Sequence, residues 1–165
     1  MATIKLAAAL AVTTLLGMSA ALGHAQPRAK SDAASDQVRA VVLSVPVAVE
    51  RGDLKALDAL YSHDPSVLII EGASADLGWK QYRDHHLAPE LKAVTNLKYK
   101  YTNVAVSVVG EVAWASFDYT LEALMKGKPL SIKGKGTLVL RKSNSAWKIV
   151  HSHTSGGPAD KAPAH

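Results

Sequence analysis

Residues 134–155 read GKGTLVLRKSNSAWKIVHSHTS, and this stretch decides the fold. A strand runs into Lys142, a turn falls at Ser143-Asn144-Ser145, and a second strand covers 146–155. Upstream the same period of two reaches back to residue 96. Val104, Val106 and Val108 alternate with Ala105 and Ser107, and Gly110-Glu111 forms a tight turn. Val112 to Met125 returns with Ala115, Phe117, Tyr119 and Leu121 on one face. KGKP at 126–129 turns the chain again into Leu130 to Lys142. Three successive hairpins make an antiparallel meander. Its strands exceed the usual five or six residues, so the sheet must curl, and Gly134 and Gly136 supply points of bending.

The pattern before residue 96 is helical. Val38, Val42, Val45 and Val49 form an apolar stripe, which predicts a helix over 35–51 with a kink or break at Pro46. Gly52 closes this helix and Asp53 caps a second one over 54–61. His63-Asp64-Pro65 is a turn, and VLIIE at 67–71 is a buried strand. A third helix is expected from Gly78 to His86 or Leu87, with Pro89 stopping it or restarting it for one turn. Helices first and a curled meander last define an α+β fold. The helices pack in the concave face of the sheet, as a cone with an open mouth and a pocket inside.

The chain has 165 residues, 48% hydrophobic and 20% charged, which suits one globular domain. It has no cysteine, which excludes disulfides, thiolate metal sites and cysteine nucleophiles. Lys5 followed by LAAALAVTTLLGMSAALG at 6–23 reads as a secretory signal over 1–25, cut after Ala25. Residues 26–34 read as a flexible lead-in, 35–155 as the folded domain and 156–165 as a disordered tail. Removing Lys5 leaves 18 basic against 14 acidic side chains, a net charge of +4. The charges are scattered, which argues against a nucleic-acid partner. A periplasmic or secreted protein is expected, with no membrane association after signal cleavage.

The run LDALYSHDPSVLIIEG at 57–72, the stretch 134–155 and, more weakly, GWKQYRDHHLAPEL at 78–91 resemble the nuclear transport factor 2-like superfamily. Within it, the chain is similar to the SnoaL-like and calcium/calmodulin kinase association-like small proteins. The resemblance covers nearly all of the chain after the signal. It implies the cone fold and a homodimer formed through the outer face of the sheet. It does not select a function, because this fold hosts isomerases, cyclases, dehydratases and non-catalytic binders.

Four histidines stand out. Strict alternation places Trp147, Ile149, His151 and His153 on one face of the last strand, with His151 and His153 continuing toward the mouth. His85 and His86 end the third helix near the same mouth, and only one of them can face inward. Two readings follow. In one, His85, His86, His151 and His153, with Glu71, hold zinc or copper. In the other, His151 or His153 is a general base, with Tyr61, Tyr82 or Tyr119 as hydrogen-bond donor. The expected pocket lining is Tyr61, Glu71, Trp79 and Tyr82; Trp114 is a further candidate, and Asp118 lies outside if Phe117 points in. The expected function is binding of a small ligand or metal ion in the pocket. The alternative is a small-molecule isomerase, dehydratase or cyclase.

Overall fold

The computed structural model describes residues 28–159. The expected signal segment and the end of the tail lie outside them. Helix α1 runs Arg28–Arg51 and α2 runs Leu54–Leu60. Strands β1 (Leu68–Glu71) and β2 (Ser74–Leu77) form a short hairpin. A helical run follows: α3 (Trp79–Tyr82), a π-helical turn (Arg83–Leu87) and α4 (Ala88–Ala93). The meander is β3 (Val94–Val109), β4 (Val112–Met125), β5 (Lys128–Ser143) and β6 (Ala146–Pro158). One sheet holds all six strands in the order β2-β1-β6-β5-β4-β3, with β1 parallel to β6 and every other pair antiparallel. The helices pack against its concave face, giving the expected α+β cone.

Several boundaries differ from the sequence reading. Helix α1 begins at Arg28 rather than at residue 35, and it continues through Pro46 to Arg51. Strand β6 extends past residue 155 to Pro158. Of the two expectations for Pro89 the structure matches the restart: it sits in the first turn of α4, where a missing N–H costs little, and the helical run goes on to Ala93. The sequence reading assigns no element to residues 72–77; SADL is only four residues long and carries no β-branched or aromatic side chain, yet it forms β2 by pairing with β1.

The stripe on α1 does what its spacing requires. Val38, Val42, Val45 and Ala48 are buried against the sheet, and Val49 is half-buried. Asp53 caps α2, its Oδ1 accepting from the Ala56 N–H at 2.9 Å. The hairpin turns at Lys126-Gly127 and Asn144-Ser145 have positive φ at both residues, the backbone that matches strand twist.

The curl has local causes. Strand β3 shifts register twice, at 95–98 and 102–105, each time beside an asparagine at positive φ, Asn96 and Asn103. Each shift sets two residues against one and sharpens the twist. Across the sheet, the rings of Phe117 and Tyr119 lie over Gly136, Gly134 and Gly156. The missing side chains let the aromatic rings rest on backbone.

A third irregularity decides the site. Leu140 pairs with Ile149, but Val139 pairs with His151, so Val150 is an extra residue in β6. Trp147 and Ile149 are buried, as expected. Past the bulge the inward set changes parity: Ser152, Thr154 and Gly156 line the concave side, and His151 and His153 point outward.

Candidate functional site

Between α1, the 79–93 helical run and the inner sheet lies a hollow of about 320 Å³. Its wall is aliphatic and aromatic, including Val45, Val49, Leu91, Leu121 and Ile132 together with Tyr61, Trp79, Tyr82, Tyr99, Tyr101 and Tyr119. The rings pack in pairs. Tyr61 stacks on Trp79 at 4.1 Å between centroids, and Tyr101 on Phe117 at 3.8 Å. Tyr99 meets Tyr101 and Tyr119 edge-on.

Polar chemistry concentrates at one end. Glu71, the last residue of β1, presents its carboxylate to the hollow. The Tyr82 hydroxyl donates to its Oε1 at 2.7 Å. His86 Nε2 lies 3.4 Å from Glu71 Oε2 and 3.2 Å from Glu90 Oε1. On the other edge of the imidazole, Nδ1 is 2.7 Å from Asp76 Oδ2. Five elements therefore meet here. β1 supplies Glu71, β2 Asp76, α3 Tyr82, the π-turn His86 and α4 Glu90.

The wide turn is what aims this group. The Ala88 N–H bonds the Arg83 carbonyl, an i to i+5 closure that inserts a residue into the helical run. His86 then faces Glu71, with Glu90 one turn further on. Burial raises the Glu71 carboxyl above the usual range, partly offset by the Tyr82 hydrogen bond. The hydrogen bond with Asp76 raises His86, against burial, and Glu90 and Glu71 add to the rise. Burial also pushes up the hydroxyls of Tyr61 and Tyr82, which stay protonated donors at neutral pH.

Trp79 is held from behind. Its indole N–H donates to Asp58 Oδ1 at 2.6 Å, and Arg83 Nη1 reaches both Asp58 oxygens at 2.7 Å. Arg83 Nε also bonds Asp84, which Lys80 contacts in turn. Burial alone would raise Asp58, but the bonds from Trp79 and Arg83 outweigh it and hold it low; Arg83 and Lys80 hold Asp84 well below the usual carboxylate range. A lowered folded-state value means the stabilisation exists above the ordinary carboxylate pKa and is lost as pH falls through the folded value. Arg83→Gln is therefore expected to lower the melting temperature most at neutral pH. The gap to wild type should close as the pH drops below about 4. Thermal melts of both proteins from neutral to acid pH check this.

The structure sorts the residues singled out in the sequence. Tyr61, Glu71, Trp79, Tyr82 and Tyr119 all line the hollow. Of the four histidines singled out, His86 alone joins the polar end. His85 is exposed and lines a separate groove with His63 and Pro65. His151 and His153 lie on the outer sheet face, so neither is placed to act as base in the hollow and the four imidazoles do not converge. Val150 is the physical reason: alternation assumes an unbroken ladder. Trp114 also sits outside, 45% exposed, and Asp118 is outside, bonded to Lys135 and Asn103. The sequence reading missed Asp76 and Glu90. A Glu four residues after His86 is a visible helical pairing, whereas Asp76 lies in a segment to which the sequence reading assigns no element.

Comparison with known proteins agrees with this architecture. The sheet order, the helices in the concavity and the pocket define the nuclear transport factor 2-like class. Within it the chain belongs to the SnoaL-like domain family, whose model matches residues 38–160. A nuclear transport factor 2-like superfamily protein from Salmonella enterica serovar Typhimurium is 22% identical, with a TM-score of 0.68 over 82% of this chain and 95% of that one. A family protein from Streptomyces avermitilis, named as a dehydratase, is 21% identical, with a TM-score of 0.69 over 78% and 99%. A Shewanella frigidimarina protein named as a ketosteroid isomerase is 22% identical, with a TM-score of 0.58 over 76% and 94%. At these identities the likeness shows the fold. No curated protein sequence matches the chain.

Proposed function

We propose that this protein binds a small, mostly apolar organic molecule in the hollow, with Glu71 as the polar anchor. One observation carries the reading: an aromatic and aliphatic hollow of about 320 Å³ whose wall presents a carboxylate at one end. Apolar surface supplies affinity and the polar end fixes orientation. A rigid probe with one hydroxyl, 2-naphthol, tests it by calorimetry. Binding on the order of 100 µM is expected for a molecule of this size. Leu121→Trp, which fills the hollow, should abolish it. No binding to wild type, or equal binding to Leu121→Trp, would overturn the reading.

Isomerase or dehydratase chemistry is the alternative use of the same pocket. Here the base is Glu71 in place of His151 or His153, because its carboxylate faces the hollow and their imidazoles do not.

A second reading is a divalent transition metal, zinc or copper, held by a donor set other than the one expected. Glu71, His86 and Glu90 offer donors all within 4.8 Å of one another. The 3.4 and 3.2 Å separations from His86 Nε2 match the tetrahedral edge of about 3.3 Å that zinc–nitrogen and zinc–oxygen bonds give. Asp76 on Nδ1 and Tyr82 on the other Glu71 oxygen orient two of the three donors. Equilibrium dialysis against zinc is expected to load one ion per chain. His86→Ala should lose it, and the double change His151→Ala with His153→Ala should keep it. The reverse pattern, or no loading, overturns this reading.

Export and dimerisation complete the proposal. The apolar segment before Ala25 supports export to the periplasm or medium, checked by the mass of the mature chain. Exposed Val109, Val112 and Trp114 lie together on the outer face and support a homodimer. Trp114→Lys should halve the mass found by light scattering.

A further inference from the structure

The charge at the mouth of the hollow runs against the charge of the protein. The chain carries 19 basic and 14 acidic side chains, yet the charged residues lining the hollow are Glu71 and Glu90. No lysine or arginine reaches its wall among the described residues. Lys133 and Lys135 sit at exposed, outward-facing positions of β5, and Lys98 is drawn off by Glu50 at 2.9 Å.

His86 does not cancel this charge. Its imidazole stands among three carboxylates, 2.7 Å from Asp76, 3.2 Å from Glu90 and 3.4 Å from Glu71. One imidazolium against three carboxylates leaves the group negative. Its shortest contact is with Asp76, on the edge away from Glu71. The donor facing Glu71 Oε2 is His86 Nε2, which stands 3.4 Å away and nearer to Glu90, so this half-buried oxygen lacks a short charge-assisted bond. The rings behind it add to the bias, because the faces of tyrosine and tryptophan are electron-rich.

These features exclude one ligand class and favour another. A carboxylate or phosphate would enter a site with no cationic side chain on its wall and with like charge at the entrance. A neutral molecule would leave the carboxylate as it is. An ammonium would supply the short, charged partner that His86 at 3.4 Å does not.

We propose that the hollow takes a small organic amine, with its apolar body against the tyrosines and its protonated nitrogen on Glu71. This rests on the small-molecule reading and narrows it to the charge of the ligand. Three probes of one size separate the two claims: 2-phenylethylamine, 2-phenylethanol and phenylacetate, titrated by calorimetry in buffer containing EDTA at neutral pH. The amine is expected to bind about tenfold or more tighter than the alcohol, the scale of one charge-assisted hydrogen bond. Phenylacetate is expected to bind weakest of the three. Glu71→Gln, which keeps an acceptor for Tyr82, should bring the amine-to-alcohol ratio down to about threefold or less. Glu90→Gln, further out, should lower it part-way. Alcohol binding equal to or tighter than amine binding, or phenylacetate binding best, overturns the amine and leaves the small-molecule reading standing. A ratio unchanged in Glu71→Gln does the same. No binding by any of the three overturns both.

Discussion

Trp79→Ala is expected to remove about 3–5 kcal/mol of stability, the range for deleting a buried aromatic. The residue is 1% exposed and takes part in three kinds of interaction at once. Its ring lies flat on Tyr61, with planes 8° apart, so the truncation leaves a cavity bordered by an aromatic face. Its indole N–H is lost to Asp58, a carboxylate that Arg83 then holds alone. It is also the first residue of α3, so the loss loosens the segment that carries His86 and Glu90. A domain of this size has about 5–15 kcal/mol in total, so the variant should be near its folding limit. Urea unfolding followed by circular dichroism checks the number. Trp79→Phe keeps the stack and gives up the hydrogen bond, and it should cost distinctly less. Equal losses for the two variants would mean that packing is not the main term.

Gly134→Ala should be the most damaging single methyl group in the sheet. A Cβ there would lie 2.7 Å from the Gly156 Cα and 2.7 Å from Tyr119 Cε1, and closer still to the Ser155 carbonyl oxygen. Two of those three neighbours are backbone, held by the pairing of β5 with β6, and cannot swing aside. Overpacking of this kind costs about 1–3 kcal/mol, and rigid neighbours put it at the top of that range. Gly136→Ala meets a side chain instead, with Phe117 Cε2 2.5 Å away. Pairing Gly136→Ala with Phe117→Leu should recover part of its loss, whereas Tyr119→Leu should recover little for Gly134→Ala. Denaturation midpoints of the four proteins decide this.

The fold was legible because its signals were long. Four strands of the meander repeat an alternation over many residues, and the valine stripe of α1 repeats one helical face, so small irregularities do not erase them. The candidate site was legible only in part, because single residues decide it. One extra residue, Val150, reverses which side chains of β6 face the hollow, and it looks like any other strand valine. One widened turn at Arg83–Leu87 selects His86 over His85, and nothing in RDHHL announces it. Glu71, Tyr61, Trp79 and Tyr82 were readable as pocket residues because each lies on a regular element or directly at its end, close to a predicted turn. Asp76 was not, because its strand is made by pairing with β1 rather than by its own composition.

The parallel docking of β1 on β6 has a consequence for how the molecule comes into being. Glu71 leaves the ribosome early, yet its partner across the ladder is Thr154, and the Gly72 N–H bonds the Thr154 carbonyl at 2.9 Å. A pairing spanning half the chain closes a large loop and forms late. The acidic end of the hollow is thus supported only once β6 has been made, and a chain lacking β6 would carry its carboxylate on an unsupported edge.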